Sequence, residues 1–519
     1  MSGIFTTGQT PAEVVRAIET RGPLHWDELG PEERALGISK LRLAGVYDDR
    51  QEGRFMLRIR IPGGRIDAAQ LEVVAGVVHD YALRPRGEEG PDRFAEITTR
   101  QDLQVHWIRF ESLPEIWGRF RAVGLSSERA CGDTLRNVTC CAVDGVDAEA
   151  VLEAAPVVAG LGALALQEAR LTAFLPRKFK VAVTGCRTDC VSARLHDLAF
   201  TPGRRDGTLG FNVHAGGGLS DSPRLASPLD LFVRPEEVPA VVRVALELFA
   251  QRGDRRNKAV NRFRILVHEL GPRAVGETIR RRLPSRPAPA GEDLSSWRAA
   301  DHLGVHPDRS GRFYVGLCVP LGRLTAEELA GVARLARRYG DGGIRLTQRQ
   351  NLVLTGVADP DALLAEPPLE RLRAFPDPFE RAVLACTSAP FCKFGILDAK
   401  TYGAELIDCL RGRVPAEAWD RLQGLRVHLS GCKASCAQVQ AAHIGLRGSI
   451  AKGPDALAEA FDIALGGDVG HGRLGRWASL EVEAPRAFEA VVRALVETAR
   501  SDQGPEMIAE TMAAGVEET

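Results

Sequence analysis

An α/β chain made of two copies of one plan is the fold class this sequence predicts. Three observations carry it. Five segments recur in the same order about 250 residues further on, well past the period of a solenoid unit. Strand-period and helix-period patterns alternate within each copy. A Pro-rich stretch, "LPSRPAPAGED", falls between the copies.

The repeated segments are close in wording. "IPGGRIDAAQL" (residues 61–71) returns as "VPLGRLTAEEL" (319–329), and "EITTRQDL" (96–103) as "RLTQRQNL" (345–352). "RNVTCC" (136–141) returns as "RAVLAC" (381–386), "VTGCRTDC" (183–190) as "LSGCKASC" (429–436), and "FNVHAGG" (211–217) as "FDIALGG" (461–467).

Taken in order, residues 1–45 read as a helical extension. A strand–helix–strand unit follows over 46–120. In "FMLRIRI" the apolar Phe55, Leu57, Ile59 and Ile61 alternate with Arg58 and Arg60, as in a half-buried strand. The next helix opens on Asp67 and runs through Leu71, Val74, Val77 and Val78; its counterpart opens on Thr325 with Glu328 in capping-box spacing. "EITTRQDLQVHW" reads as one strand with a donor face of Thr98, Arg100, Gln104 and His106, matched in the second copy by Arg345, Thr347, Arg349 and Asn351. A larger α/β unit occupies 121–282, with helices over 156–166 and 236–251. A linker spans 283–300, the strand–helix–strand unit returns over 301–365 and the α/β unit over 366–500, and a tail fills 501–519.

A formal net charge of −1 gives the whole molecule no field to gather nucleic acid, so anion recognition has to be local. No apolar run approaches the ~20 residues that span a bilayer, and the N-terminus lacks the pattern of a signal peptide. A cytoplasmic location is expected, with no membrane partner. Eleven cysteines in a reducing compartment point to metal ligation and buried thiols, not to a disulfide frame.

Four of those cysteines form two tight pairs. "CTSAPFC" supplies Cys386 and Cys392, and "CKASC" supplies Cys432 and Cys436. An all-sulfur set selects an iron–sulfur cluster or zinc. The five-residue gap of the first pair is awkward for a zinc knuckle, whose pairs stand two to four apart, which favours a 4Fe-4S cluster. Cys141, Cys186 and Cys190 are the first-copy images of Cys386, Cys432 and Cys436, with Asp147 in place of the fourth thiol. They read as buried relics of duplication, a second cluster being the rival. Arg58 and Arg60 share one strand face, as do Lys178 and Lys180, all among apolar residues. Unpaired cations there are costly, so an anion is expected to meet them.

The motifs "LACTSAPFCKFG", "HLSGCKASCAQ", "GRFMLRIRIPGG", "TTRQDLQVHW", "ACGDTLRNV", "LPRKFK" and "GFNVHAGGG" resemble those of the sirohaem sulfite and nitrite reductases, in that family's order. The resemblance implies an α/β (α+β) fold of two pseudo-symmetric copies, each a ferredoxin-like half plus a larger α/β reductase domain. It implies sirohaem and a 4Fe-4S cluster on Cys386, Cys392, Cys432 and Cys436, with Cys436 bridging the two. Arg60, Arg136, Lys178 and Lys180 would bind the substrate anion. Thr98, Arg100, Gln104, His106, Arg345, Thr347, Arg349 and Asn351 would hold the macrocycle's carboxylates. Lys180 resembles the sulfite-reducing members, so reduction of sulfite to sulfide is expected, with nitrite to ammonia as the alternative and a corrin-pathway oxygenase as a remote one. Glu96 leans towards the branch that takes electrons from ferredoxin, an acidic protein for which the basic stretch 252–264 is a candidate docking face. A monomer is expected, and Tyr47 and Cys131 are candidates for the crosslink found in part of the family.

Overall fold

The computed structural model describes residues 3–22, 24–257, 260–452 and 456–500. The chain divides into two compact units. One holds both strand–helix–strand units and the first α/β unit; the other holds the second α/β unit. The expected tail over 501–519 lies outside the described residues, and the N-terminal extension is helical over Pro11–Arg21 and Pro31–Leu41.

In the first strand–helix–strand unit the strands are β1 (Val46–Asp48), β2 (Arg54–Ile59), β3 (Arg65–Asp67), β4 (Phe94–Ile97) and β5 (Leu103–Arg109). The first α/β unit contains β6 (Thr139–Cys140), β7 (Val181–Val183), β8 (Leu198–Arg205), β9 (Thr208–Ala215), β10 (Ser227–Val233) and β11 (Glu292–Asp293). The second strand–helix–strand unit contains β12 (Gly304–Pro307), β13 (Phe313–Leu317), β14 (Arg323–Thr325), β15 (Gly343–Leu346) and β16 (Leu352–Val357). The second α/β unit contains β17 (Val383–Ala385), β18 (Val427–Ser430), β19 (Ile444–Lys452), β20 (Leu457–Leu465) and β21 (Arg476–Glu483).

The two strand–helix–strand units exchange a strand. Their sheets run β1-β2-β5-β4-β14 and β12-β13-β16-β15-β3, so each short strand after the "PGG" or "PLG" turn completes the other copy's sheet. Gly64 makes that crossing possible: it sits at φ +71°, and a Cβ there would stand 2.4 Å from the Leu346 carbonyl oxygen. The exchange is reciprocal in side chains as well. Gln101 Nε2 donates to Leu346 O at 2.8 Å, and Gln350 Nε2 donates to Ile97 O at 2.9 Å. Asp67 and Thr325 cap the two equivalent helices, Ala68–Tyr81 and Ala326–Tyr339, each in a capping box, and the helices pack on each other.

Each α/β unit repeats one sheet order. In the first, β6, β7 and β8 are parallel and β9 and β10 return antiparallel. In the second, β17, β18 and β19 are parallel, followed by antiparallel β20 and β21. Parallel neighbours bring their C-terminal ends to one edge, and the loops leaving β6, β7, β17 and β18 carry the cysteines. The first core packs Phe179, Phe249 and Phe263 ring on ring; the second packs Tyr402, Phe461 and Phe488.

The Pro-rich piece is a strap where a free linker was expected. β11 pairs with β8, Phe232 N donates to Ala288 O at 2.9 Å, and Trp297 lies under the Arg194 guanidinium at 3.8 Å. Proline leaves the backbone few donors to satisfy, so such a segment can lie along a sheet edge.

Candidate active site

"EITTRQDLQVHW" is a hairpin and not the single strand expected. β4 pairs with β5, Glu96 opposite Gln104, and residues 98–102 form the turn, with Gln101 at φ 59°. Thr98 Oγ1 closes the turn by accepting from the amides of Arg100 and Asp102. Period-2 reading missed it because Thr, Arg and Gln carry no turn signature. The second copy does the same: Thr347 Oγ1 accepts from Asn351 N at 3.0 Å, and Gln350 stands at φ 63°.

The donors therefore divide. Gln104 and His106 lie in the sheet and already serve protein acceptors: Gln104 Nε2 donates to Glu96 Oε2 at 2.9 Å, and His106 Nδ1 meets Asp49 Oδ1 at 3.1 Å. Glu96, buried, also accepts from Arg323 of the exchanged strand at 2.8 Å. Its acidic character thus has a structural use in joining the copies. Arg100, at the hairpin tip, joins the substrate-side cations. In the second copy Arg345 lies on β15 near Arg65 and Asp144, whereas Thr347 and Arg349 line a small pocket with Gln101, Cys190, Asp301 and His302.

Arg60, Arg100, Arg136, Lys178 and Lys180 do come together. Arg60 is pushed down to about 10 by burial, then by Arg129, with Asp102 opposing and Arg136 adding to the fall. Arg100 falls to about 9, again chiefly by burial, with Arg136 among its like-charged neighbours. Burial drives Lys180 well below the ordinary lysine range, and Arg100, Lys178 and Arg262 push the same way. The Nε atoms of Arg60, Arg100 and Arg136 are buried and meet no hydrogen-bond partner among the described residues. Packed like charges with unsatisfied donors, which Asp102 and Asp197 neutralise only in part, favour a further anion beside them. This cluster therefore fits a substrate oxyanion or cofactor carboxylates.

Three groups that hold the cluster escaped sequence reading. Asp197, fully buried, accepts from Lys180 N at 3.0 Å and from Arg262 Nη2 at 3.0 and 3.1 Å. His196 beside it meets Thr139 Oγ1 at 2.8 Å, and burial with Arg100 and Lys180 holds it well below its usual range. Asp102 accepts from Ile61 N and sits among Arg58, Arg100 and Arg136. The signal available was "HD" heading the apolar run "LAF". The sequence places Arg262 in the candidate docking stretch, which is a loop and helix start, not one exposed face. Arg262 and Arg264 point inwards there, and Arg252, Arg255 and Arg256 remain exposed; residues 258 and 259 lie outside the described ones.

The four expected cluster ligands converge in the second unit. Cys386 follows β17 and Cys432 follows β18 by two residues, the strands being parallel neighbours. Burial raises the Cys386 thiol first, and the charges of Cys436, Cys432 and Cys392 raise it further. The loops are bound to each other by Cys386 N donating to Leu429 O at 3.0 Å and Ile396 N to Gly431 O at 2.8 Å. Gly431 is where they cross: a Cβ there would stand 1.6 Å from Ser388 Oγ. Gly431→Ala is expected to cost about 3 kcal/mol by overpacking, read as a lowered Tm with loss of iron. Cys436 is the exposed member of the four. This soft, convergent set fits a 4Fe-4S cluster.

Of the other cysteines, Cys140 and Cys318 are buried and Cys409 packs on the second core, as small core residues do. Tyr47 Oη accepts from Gly132 N at 3.4 Å, next to the buried Cys131.

A strand-exchanged pair of half-domains, a buried cation cluster and a four-thiol loop pair define a redox protein that binds a small anion. Similar proteins point the same way. Residues 47–123 and 306–366 match the model "Nitrite/Sulfite reductase ferredoxin-like half domain", and residues 131–286 match "Nitrite and sulphite reductase 4Fe-4S domain". The chain is 38% identical over 472 residues to an assimilatory ferredoxin-dependent nitrite reductase of Haloferax mediterranei, covering 86% of this chain and 79% of that one. It is 36% identical over 456 residues to a ferredoxin–nitrite reductase of Synechococcus elongatus, covering 86% of each. The solved structure of the NirA protein of Mycobacterium tuberculosis superposes with a TM-score of 0.86 at 28% identity, covering 98% of this chain and 94% of that one. The chain belongs to the nitrite and sulfite reductase family, and its residues fit the family's two groups, sirohaem and a 4Fe-4S cluster. No helix among the described residues is long and apolar enough to cross a membrane.

Proposed function

We propose that the protein reduces nitrite to ammonium with electrons from a ferredoxin, the reading the named relatives support over the expected sulfite. The observation that carries it is the buried cluster of Arg60, Arg100, Arg136, Lys178 and Lys180, which fits a small oxyanion, in a chain whose named relatives are ferredoxin-dependent nitrite reductases. Lys180, buried among like charges, is pressed to give up its proton. Nitrite, six electrons and eight protons give ammonium and two waters, so proton delivery matters as much as anion binding.

Sirohaem and the cluster would supply a reducing iron centre for the anion and a store of single electrons. Arg60 and Arg136 hold the anion's oxygens by charge-assisted hydrogen bonds, and Lys180, with Lys178 beside it, donates protons as those oxygens leave as water. Arg100, with Arg345, Thr347, Arg349 and Asn351, supplies donors for the macrocycle's carboxylates; Gln104 and His106 support the sheet beneath. Steady-state kinetics with a viologen donor test the substrate: kcat/KM for nitrite is expected to exceed that for sulfite by about tenfold or more. A larger value for sulfite overturns the reading.

The electron donor has its own test. Arg255 and Arg256 are exposed, and an acidic donor would be steered by them. Reversing both to Glu is expected to lower ferredoxin-driven turnover by roughly fivefold to tenfold at low salt, with viologen-driven turnover unchanged. Equal ferredoxin-driven rates would move the docking face elsewhere.

A further inference from the structure

The three first-copy cysteines, read from the sequence as buried relics of duplication, are gathered at one place. Their sulfurs all lie within 4.8 Å of one another. A fourth donor comes from a place no repeat pattern indicates: His302 Nε2 stands 3.7 Å from Cys141 Sγ. Asp147, the residue standing where the second copy has Cys392, contributes its backbone instead, pairing with Asp308 and receiving Arg309.

We propose that Cys141, Cys186, Cys190 and His302 bind a single zinc ion in a tetrahedral site. With Zn–S near 2.3 Å and Zn–N near 2.0–2.1 Å, the edges of such a tetrahedron are about 3.8 Å between sulfurs and about 3.5 Å from sulfur to nitrogen. The three sulfurs, within 4.8 Å of one another, are near those values already; His302 Nε2, 3.7 Å from Cys141 Sγ but outside that set, has to swing towards Cys186 and Cys190 to close the site. A 4Fe-4S cube places each cysteine sulfur on a different iron and so spreads its ligands wider. The family model for a 4Fe-4S domain covers these residues, but their spacing suits one ion. Cys186 and Cys190 also stand three residues apart, inside the zinc-knuckle range that the Cys386–Cys392 pair exceeds.

The scaffold is built for the purpose. Cys141 follows β6 directly, and Cys186 leaves β7 through Gly185, where a Cβ would lie 1.7 Å from Leu152 O. Asp189 N donates to Arg298 O at 2.7 Å, tying the Cys186–Cys190 loop to the segment that carries His302. Cys141 and Cys186 are buried, and Cys190 and His302 border the small pocket, which gives an ion a way in. The ion would clamp the loops after β6 and β7 to the entry of β12. One copy of the duplicated loop pair then carries a cluster and the other a structural ion.

The test uses the purified holoenzyme from zinc-replete growth, passed through a chelator and desalted. Elemental analysis is expected to give about one zinc per chain in addition to the irons, and zinc-edge X-ray absorption a shell of three sulfurs and one nitrogen. Cys186→Ser and His302→Ala are expected to lower zinc at least about tenfold, with Cys409→Ser as an unaffected control. The wild-type measurement stands even if a variant fails to fold. Zinc below about 0.1 per chain, a shell without sulfur, or a disulfide between any two of the three cysteines overturns the proposal.

Discussion

Replacing Cys432 with serine is expected to remove the cluster, with about four irons fewer per chain, and to cut viologen-driven nitrite reduction by roughly 10³-fold or more. A serine hydroxyl is a hard donor that stays protonated at neutral pH, so it cannot replace an anionic sulfur on iron. The fold should survive, because the two loops are held by backbone hydrogen bonds that do not involve the thiol: Cys386 N to Leu429 O, Ile396 N to Gly431 O, and Cys392 N to Ser388 O. Loss of iron with a near-normal circular dichroism spectrum is therefore the expected pair of results. Cys409→Ser, half-buried against the core of the same unit, should keep both iron and activity. A Cys432→Ser protein that retained four non-haem irons would show that the cluster sits elsewhere.

Much of this was legible in the chain, for identifiable reasons. The duplication could be read because each copy must rebuild the same turn, cap and loop crossing: the caps at Asp67 and Thr325, and the glycines Gly185 and Gly431 wedged against a neighbouring loop, admit few substitutes. The four-thiol motif could be read because soft-metal ligation fixes both residue type and spacing. The hairpin within "EITTRQDLQVHW" could not, since its turn is closed by the Thr98 hydroxyl and a left-handed Gln101, neither a strong local signal. The strand exchange was equally hidden, because "RID" and "RLT" are too short to show which sheet they join. Nothing local joins His302 to Cys141, or Asp197 to Arg262; those pairings exist only once the sheets are assembled.

Lys180→Met is expected to lower kcat/KM for nitrite by about 10²–10³-fold, the scale of losing both a positioned donor and a proton source in a water-poor site. Two further variants separate these roles. Lys180→Arg keeps a cation that does not give up its proton, so KM should stay within about threefold of wild type while kcat falls nearly as far as in Lys180→Met. The pH profile carries the sign. Lys180 donates only when protonated, so turnover is present below its pKa and lost as pH rises through it. Burial, then Arg100, Lys178 and Arg262, lower that pKa from 10.5, with Asp197 pulling the other way. The alkaline limb of the wild-type profile should thus come at lower pH than a solvated lysine would give. Arg262→Gln removes one like charge and leaves Asp197 less neutralised, since Arg262 is its ion-pair partner at 3.0 Å. Both changes favour the protonated lysine, so the limb should move to higher pH, whereas a purely structural Arg262 would lower activity without moving it. An alkaline limb that stayed fixed in both Arg262→Gln and Lys180→Arg would take proton delivery away from Lys180 and leave it as a charge for holding the anion.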